Sequence, residues 1–270
     1  MFLRNLLIIF FAFCSVNTFA LKPSKDWLAM PDEASFPGWK SSATETPDHY
    51  KIVIWQLPAK GTDRHVSIVI AGADAGNMSH YLTLAYALCM NGYTVILFDY
   101  RGFGGSQEFA IDTAQLYYNE FSSDLLTVCK WAKQRIPTNK LAIYGLSMGT
   151  ILATQIWPEA QADYLIGEGF VTNPVAVQQR LYRLKGRRFE LPGDAPFYPQ
   201  LLASLPDKML IFSGKYDEIT TPADALELQR MHPGTIIKTF DAGHGQGYTM
   251  MMTDEARGPY IDAIKAFTSR

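Results

Sequence analysis

The sequence predicts an α/β fold, one mostly parallel central sheet with helices on both faces. Three observations point to it. Continuous apolar segments such as HVSIVIA (65–71), TVILFDY (94–100) and KLAIYGL (140–146) read as strands buried on both faces, which is where parallel strands sit. Between them lie segments whose apolar residues recur at helical spacing. The apolar runs end in loops of small and polar residues, and no repeat competes with this alternation. With 270 residues and 48% hydrophobic content, the chain can bury one large core, and nothing in its composition reads as disorder.

The first twenty residues stand apart. Arg4 is their only charge, Leu6 to Phe13 is an apolar run, and Thr18-Phe19-Ala20 offers a small-residue cleavage site. Residues 1–20 therefore read as a signal peptide, too short before the polar Ser15, Asn17 and Thr18 to span a membrane comfortably, and the protein is expected to be exported, periplasmic or secreted. Losing Arg4 moves the formal charge from −2 to −3. So mild an acidity gives no global reason to bind nucleic acid.

Residues 21–270 form the expected domain. Leu21 to Tyr50, rich in Pro, Ser, Thr, Asp and Trp, reads as a leading arm or irregular first hairpin. Lys51 to Leu57 is a strand, His65 to Ala71 a more buried one, and Ser79 to Met90 has the spacing of an amphipathic helix closed by Asn91-Gly92. Thr94 to Tyr100 is the next strand and Phe121 to Gln134 the next helix. After the Lys140 strand, Thr150 to Trp157 suits a helix that Pro158 should stop. Tyr164 to Val171 is a further strand. Thr172 to Pro206 then breaks the rhythm with prolines and basic residues, an insertion above the sheet. Lys208 to Ser213 resumes the pattern, Pro222 to Met231 is a helix with proline in its first turn, Thr235 to Phe240 the last strand and Thr253 to Phe267 the last helix.

In such a sheet, chemistry collects at the C-terminal ends of the strands. There Gly145-Leu146-Ser147-Met148-Gly149 joins a strand to a helix, the context of a nucleophile elbow, in which glycines on either side of the serine permit the close backbone approach. A serine hydroxyl becomes a useful nucleophile when an imidazole takes its proton, and a carboxylate must fix the imidazole tautomer. Of the five histidines, only His244, between Gly243 and Gly245, occupies a loop at the productive end; His49, His65, His80 and His232 are misplaced. For the carboxylate, Asp217 after the KMLIFSG strand leads, with Glu168 and Asp241 as alternatives and Glu218 as its neighbour. The tetrahedral intermediate needs two backbone N–H donors. Met148 supplies one because it follows the nucleophile, and Ala73, in the loop after HVSIVIA, is the natural second.

With AGADAGNMSHY, FDYRGFGGS and GLSMG in this order, the chain from His65 onward resembles the α/β-hydrolase-fold serine hydrolases, in particular their Bem46-like and serine aminopeptidase-like branch, which includes monoacylglycerol lipase-like enzymes. The resemblance implies the α/β-hydrolase fold and a triad in the order Ser147, Asp217, His244. It implies a structural role for Asp99 and Arg101. One departure is visible: Ala71-Gly72 stands where the family usually has His-Gly, so the bracing of the oxyanion loop by that histidine is absent. In this fold the helices carrying Cys89 and Cys129 pack on opposite sheet faces, so both are expected to be free, buried thiols rather than a disulfide.

The expected function is hydrolysis of a carboxylic ester or lipid-like ester through an acyl-enzyme, with no cofactor and no metal. A peptidase or amidase of serine aminopeptidase type is the alternative; an acidic cluster in the cap pocket, able to hold an amine terminus, would favour it, whereas the basic cap favours esters or anionic groups. A non-catalytic binding protein on the same fold is a third reading. The 172–206 insertion should be a short cap over Ser147. Its Arg180, Arg183, Lys185, Arg187 and Arg188 read either as a solvated helix face or as a basic, apolar surface meeting anionic lipid or an acidic substrate group. Met250 to Met252 read as packing near the pocket, and no sequence feature specifies an oligomeric state.

Overall fold

The computed structural model describes residues 20–250 and 254–269. The proposed signal peptide thus lies outside the described residues apart from Ala20, as do Met251 and Met252. Among the described residues, no helix is long and apolar enough to cross a membrane.

In chain order the elements are β1 (Lys22–Pro23), β2 (Lys40–Glu45), β3 (Lys51–Leu57), β4 (Val66–Ala71), β5 (Ala75–Gly76), α1 (Leu82–Cys89), β6 (Thr94–Phe98), α2 (Tyr118–Arg135), β7 (Lys140–Leu146), α3 (Met148–Ala160), β8 (Tyr164–Glu168), α4 (Pro174–Lys185), α5 (Tyr198–Leu201), β9 (Leu210–Gly214), α6 (Pro222–Met231), β10 (Ile236–Phe240), α7 (Gly247–Met250) and α8 (Asp254–Thr268). The main sheet has the order β10-β9-β8-β7-β4-β6-β3-β2. From β6 to β10 the strands are parallel; β3 and β2 complete the other edge in antiparallel fashion.

Side-chain alternation explains why the apolar strands are continuous. Along β4, Ile68 and Ile70 join the core under α1 and α8, whereas Val69 and Ala71 join the core under α2 and α3. A strand with helices on both faces has no polar side to display. The same division separates the cysteines: Cys89 lies in one core and Cys129 in the other, and both are free and buried. Burial pushes both thiols up to about 12, so neither is a nucleophile near neutral pH.

Several boundaries differ from expectation for identifiable reasons. The leading segment does form a hairpin, β2 with β3, and also sends β1 to pair with β5 in the loop after β4. Pro158 does not end α3, which runs on to Ala160 before Gln161 adopts a left-handed conformation. Proline that close to the helix end removes only one late backbone bond. The β8 strand stops at Glu168 because Gly169, at φ +60°, turns the chain. Asp99 and Arg101 are structural, as the resemblance implied. Asp99 accepts hydrogen bonds from Trp27 Nε1 and from the N–H groups of Met78 and Gly105, and Arg101 is clamped between Asp48 and Asp124.

Candidate active site

The loops after β4, β7, β9 and β10 converge at one end of the sheet. Ser147 stands between β7 and α3 with φ +50° and ψ −112°, an unfavourable backbone for a residue with a Cβ. The turn can close only because its neighbours lack side chains. A Cβ on Gly145 would meet the Gly149 carbonyl oxygen at 2.8 Å, and one on Gly149 would meet the Ala71 carbonyl oxygen at 2.0 Å. The Ser147 N–H donates to the Glu168 carbonyl at 2.9 Å, fastening the elbow to the end of β8.

The structure brings three of the expected residues into a line. Ser147 Oγ is 2.9 Å from His244 Nε2, and His244 Nδ1 is 2.9 Å from Asp217 Oδ2. Asp217 is buried in the loop after β9. Its Oδ1 accepts the N–H groups of Ile219 and Thr220, both at 2.8 Å, while Oδ2 also accepts the Thr220 hydroxyl at 2.7 Å. Burial pushes this carboxyl up, but the His244 ring and the Thr220 donors outweigh it and hold it below the ordinary carboxylate range. An ionised Asp217 accepts a hydrogen bond from the Nδ1–H of His244, which fixes the tautomer and leaves the Nε2 lone pair for the Ser147 hydroxyl.

The other candidates for the acid are elsewhere. Asp241 is exposed and pairs with Lys215 at 3.2 Å, and Glu218 is exposed. Glu168 is buried but bonded to tyrosines rather than to the imidazole. Thr220 was not singled out from sequence; its signal is its place three residues after Asp217, where a hydroxyl returns to an aspartate carboxylate. Of the remaining histidines, His49, His65 and His80 are exposed and His232 is buried against the Leu202 carbonyl.

The two expected oxyanion donors are placed differently. Met148 opens α3, so its N–H has no intrahelical acceptor, and it lines the cavity over Ser147. Ala73 does not line that cavity, and its N–H donates instead to the Tyr81 hydroxyl at 2.8 Å. Tyr100 adds a bond to the Gly72 carbonyl at 3.2 Å. Two tyrosines thus brace the loop where the usual histidine is replaced by Ala71, and Ala73 is held by its brace rather than turned to the cavity.

That cavity, of about 120 Å³, is mostly apolar, with Ile151, Val177, Leu181 and Phe189 among its walls. Much of its roof is α4 and the turn after it. Of the five basic residues there, Arg180 is bound to Asp224 and the Ile219 carbonyl, and Arg187 to Asp74 at 2.6 Å and to the Ala20 carbonyl. Arg183, Lys185 and Arg188 are exposed, and Lys185 lines the mouth. Among the described residues, Asp74 is the only carboxylate lining the cavity, and Arg187 neutralises it.

Residues 64–190 match the family model described as serine aminopeptidase, S33. The chain is 30% identical over 128 residues to an acyl transferase of Photobacterium leiognathi, covering 47% of this chain and 40% of that one. It is 37% identical over 86 residues to lysophosphatidylserine lipase ABHD12 of Danio rerio, covering 32% and 20%. The matched part is thus less than half the length of either curated relative. Among solved structures, an esterase of Pyrococcus furiosus superimposes with a TM-score of 0.72 at 16% identity, over 92% of this chain and 97% of that one. At that identity the likeness is one of fold.

Proposed function

We propose that the chain, whose residues 64–190 match the serine aminopeptidase family model, is a serine hydrolase that cleaves a carboxylic ester through a Ser147 acyl-enzyme. The observation that carries the reading is the continuous chain from Ser147 Oγ through the His244 ring to Asp217, with 2.9 Å at each link. Ser147 Oγ attacks the ester carbonyl while His244 Nε2 takes its proton. The carbonyl oxygen becomes an oxyanion beside the Met148 N–H. As the C–O bond breaks, the imidazolium returns the proton to the departing alkoxide. Water then repeats the sequence on the acyl-enzyme and releases the acid. Asp217 stays ionised throughout and stabilises the imidazolium.

An ester is favoured over a peptide by the charges around the cavity. Holding a peptide's ammonium terminus needs an unpaired carboxylate, and Asp74 is already paired with Arg187. Volume supports a short acyl group, since an apolar cavity of about 150 Å³ holds benzene, so about 120 Å³ suits roughly six carbons or fewer. The names lipase and acyl transferase borne by relatives agree with acyl-ester chemistry. A fluorophosphonate probe tests the assignment: wild type should be labelled and Ser147→Ala should not. Label retained by the alanine variant, or none on folded wild type, overturns it. On p-nitrophenyl esters, kcat/KM should peak at butyrate to hexanoate and fall by decanoate.

Residues 1–20 are read as an export signal, which N-terminal sequencing of the exported protein would check, with Leu21 expected first. Contact with anionic membranes through the cap is supported by Tyr182 and Leu184, both 47% exposed, beside Arg183 and Arg188. Arg183→Ser with Arg188→Ser should lower binding to phosphatidylserine vesicles; unchanged binding removes that reading.

A further inference from the structure

Glu168 is a carboxylate that the acyl-transfer sequence leaves unused, and it lies directly under the loop bearing His244. It closes β8, is 3% exposed, and is enclosed by donors. Its Oε2 accepts the Tyr260 hydroxyl of α8 at 2.5 Å and the Tyr144 hydroxyl of β7 at 3.2 Å. Its Oε1 accepts the Tyr248 N–H at 3.1 Å, and the Gly247 N–H is directed at the same carboxylate. Residues 247 and 248 open α7, three and four positions after His244, so Glu168 fastens the far side of the histidine loop to the sheet.

Two glycines show that the fit is built. A Cβ on Gly247 would meet the Glu168 carboxylate at 3.0 Å. A Cβ on Gly169, which stands at φ +60°, would meet His244 Cε1 at 3.0 Å and Nδ1 at 3.3 Å. The pair Glu168-Gly169 thus receives both the loop and the ring: the carboxylate holds the backbone after His244, and the glycine leaves room for the imidazole.

We propose that Glu168 is a positioning residue for His244, seating its loop and placing a second negative charge near the imidazolium that forms in the transition state. The inference rests on the hydrolase reading of Ser147, His244 and Asp217. Among the described residues, the charged and titratable groups around it are Tyr144 on β7, Tyr260 on α8, Tyr248 on α7, Tyr81 before α1, Asp217 after β9 and His244 itself. Burial is the largest influence and raises the Glu168 carboxyl to about 7, against the pull of the Tyr248 and Gly247 donors and of His244. The second charge is therefore present above neutrality and absent below it.

Glu168→Gln separates the two roles. The amide keeps an oxygen for the N–H groups of 247 and 248, and its NH2 can donate to the two hydroxyls, so the seat survives while the charge is lost. Wild type and variant are compared by kcat/KM on p-nitrophenyl butyrate from pH 5.5 to 9, with circular dichroism to confirm folding. The expected ratio of wild type to variant is about one at the acid end, rising through pH 7 to about tenfold, the scale of one partly screened charge. A ratio of one at every pH, or a loss independent of pH, overturns the charge role. Gly169→Ala tests the seat: slower fluorophosphonate labelling in a folded variant is expected, and an unchanged rate overturns it. Wild type that the probe fails to label would instead remove the hydrolase reading on which both depend.

Discussion

Replacing Gly149 with alanine should damage stability and chemistry together. The new Cβ would stand 2.0 Å from the Ala71 carbonyl oxygen, 2.7 Å from the carbon of that carbonyl and 2.9 Å from the Gly72 oxygen. All three atoms are backbone, so no rotamer relieves the clash. A carbon and a carbonyl oxygen settle at roughly 3.3 Å, so the first turn of α3 and the loop after β4 must part by more than about 1 Å. Overpacking of this kind costs about 1–3 kcal/mol, and contact between two main chains belongs at the upper end. At about 2–4 °C per kcal/mol for a chain of this size, the melting temperature should fall by roughly 6–12 °C. The same displacement carries the Met148 N–H away from the reacting carbonyl, and a 1 Å misplacement costs on the order of 100-fold in rate. Thermal unfolding followed by circular dichroism gives the first quantity, and the rate of fluorophosphonate labelling at 25 °C gives the second. If Gly149→Ala melts and labels like wild type, the close approach of elbow and loop does not govern the site.

Further outcomes follow from the same geometry. Asp217→Asn should cut kcat/KM by roughly 10⁴ through the wrong imidazole tautomer, whereas Asp241→Asn should leave it within about twofold; equal losses would refute the assignment of the acid. Tyr81→Phe removes the acceptor of the Ala73 N–H and should cost about 1–3 kcal/mol in denaturant unfolding, with the exposed Tyr86→Phe as an unaffected comparison. A carboxyl raised on folding contributes stability below its unfolded value that is lost as pH rises through the folded one. The stability of wild type relative to Glu168→Gln should therefore fall between about pH 4.5 and 7, and a difference constant with pH would contradict the raised carboxyl.

Periodicity carried most of the fold. Apolar runs with helical segments between them announced a doubly covered sheet, because strands buried on both faces have no polar side to show. Ser147 was legible from its glycines, His244 from its loop position, and Asp217 from its place after the resumed strand. The bracing was less visible. Tyr81 reaches Ala73 across eight positions and Glu168 reaches Tyr260 across ninety-two, and such partners leave no local pattern. The basic cap is legible only in part for a related reason: Arg183, Lys185 and Arg188 are exposed, whereas Arg180 and Arg187 look like surface charge in sequence yet turn onto Asp224 and Asp74. Pro158 does not stop α3 because it stands in the last turn, where the helix loses its own N–H bond and little else.

Asp217 and Glu168 show why chain order alone could not assign the acid. Both end or follow a strand at the productive edge of the sheet, both are buried, and either could have been written beside His244. Their surroundings drive them apart. Asp217 receives two N–H groups, a hydroxyl and the imidazole, enough to overcome burial and keep it ionised well into acid. Glu168 receives comparable donors but remains dominated by burial and titrates near neutrality. Carboxylates pushed in opposite directions take different tasks. One can serve as a permanent partner for His244 at every working pH, whereas the other changes the charge held under the histidine loop by one unit as pH crosses 7. The divergence follows from which side of the imidazole each carboxylate meets, the Nδ1 edge for Asp217 and the backbone beyond the ring for Glu168.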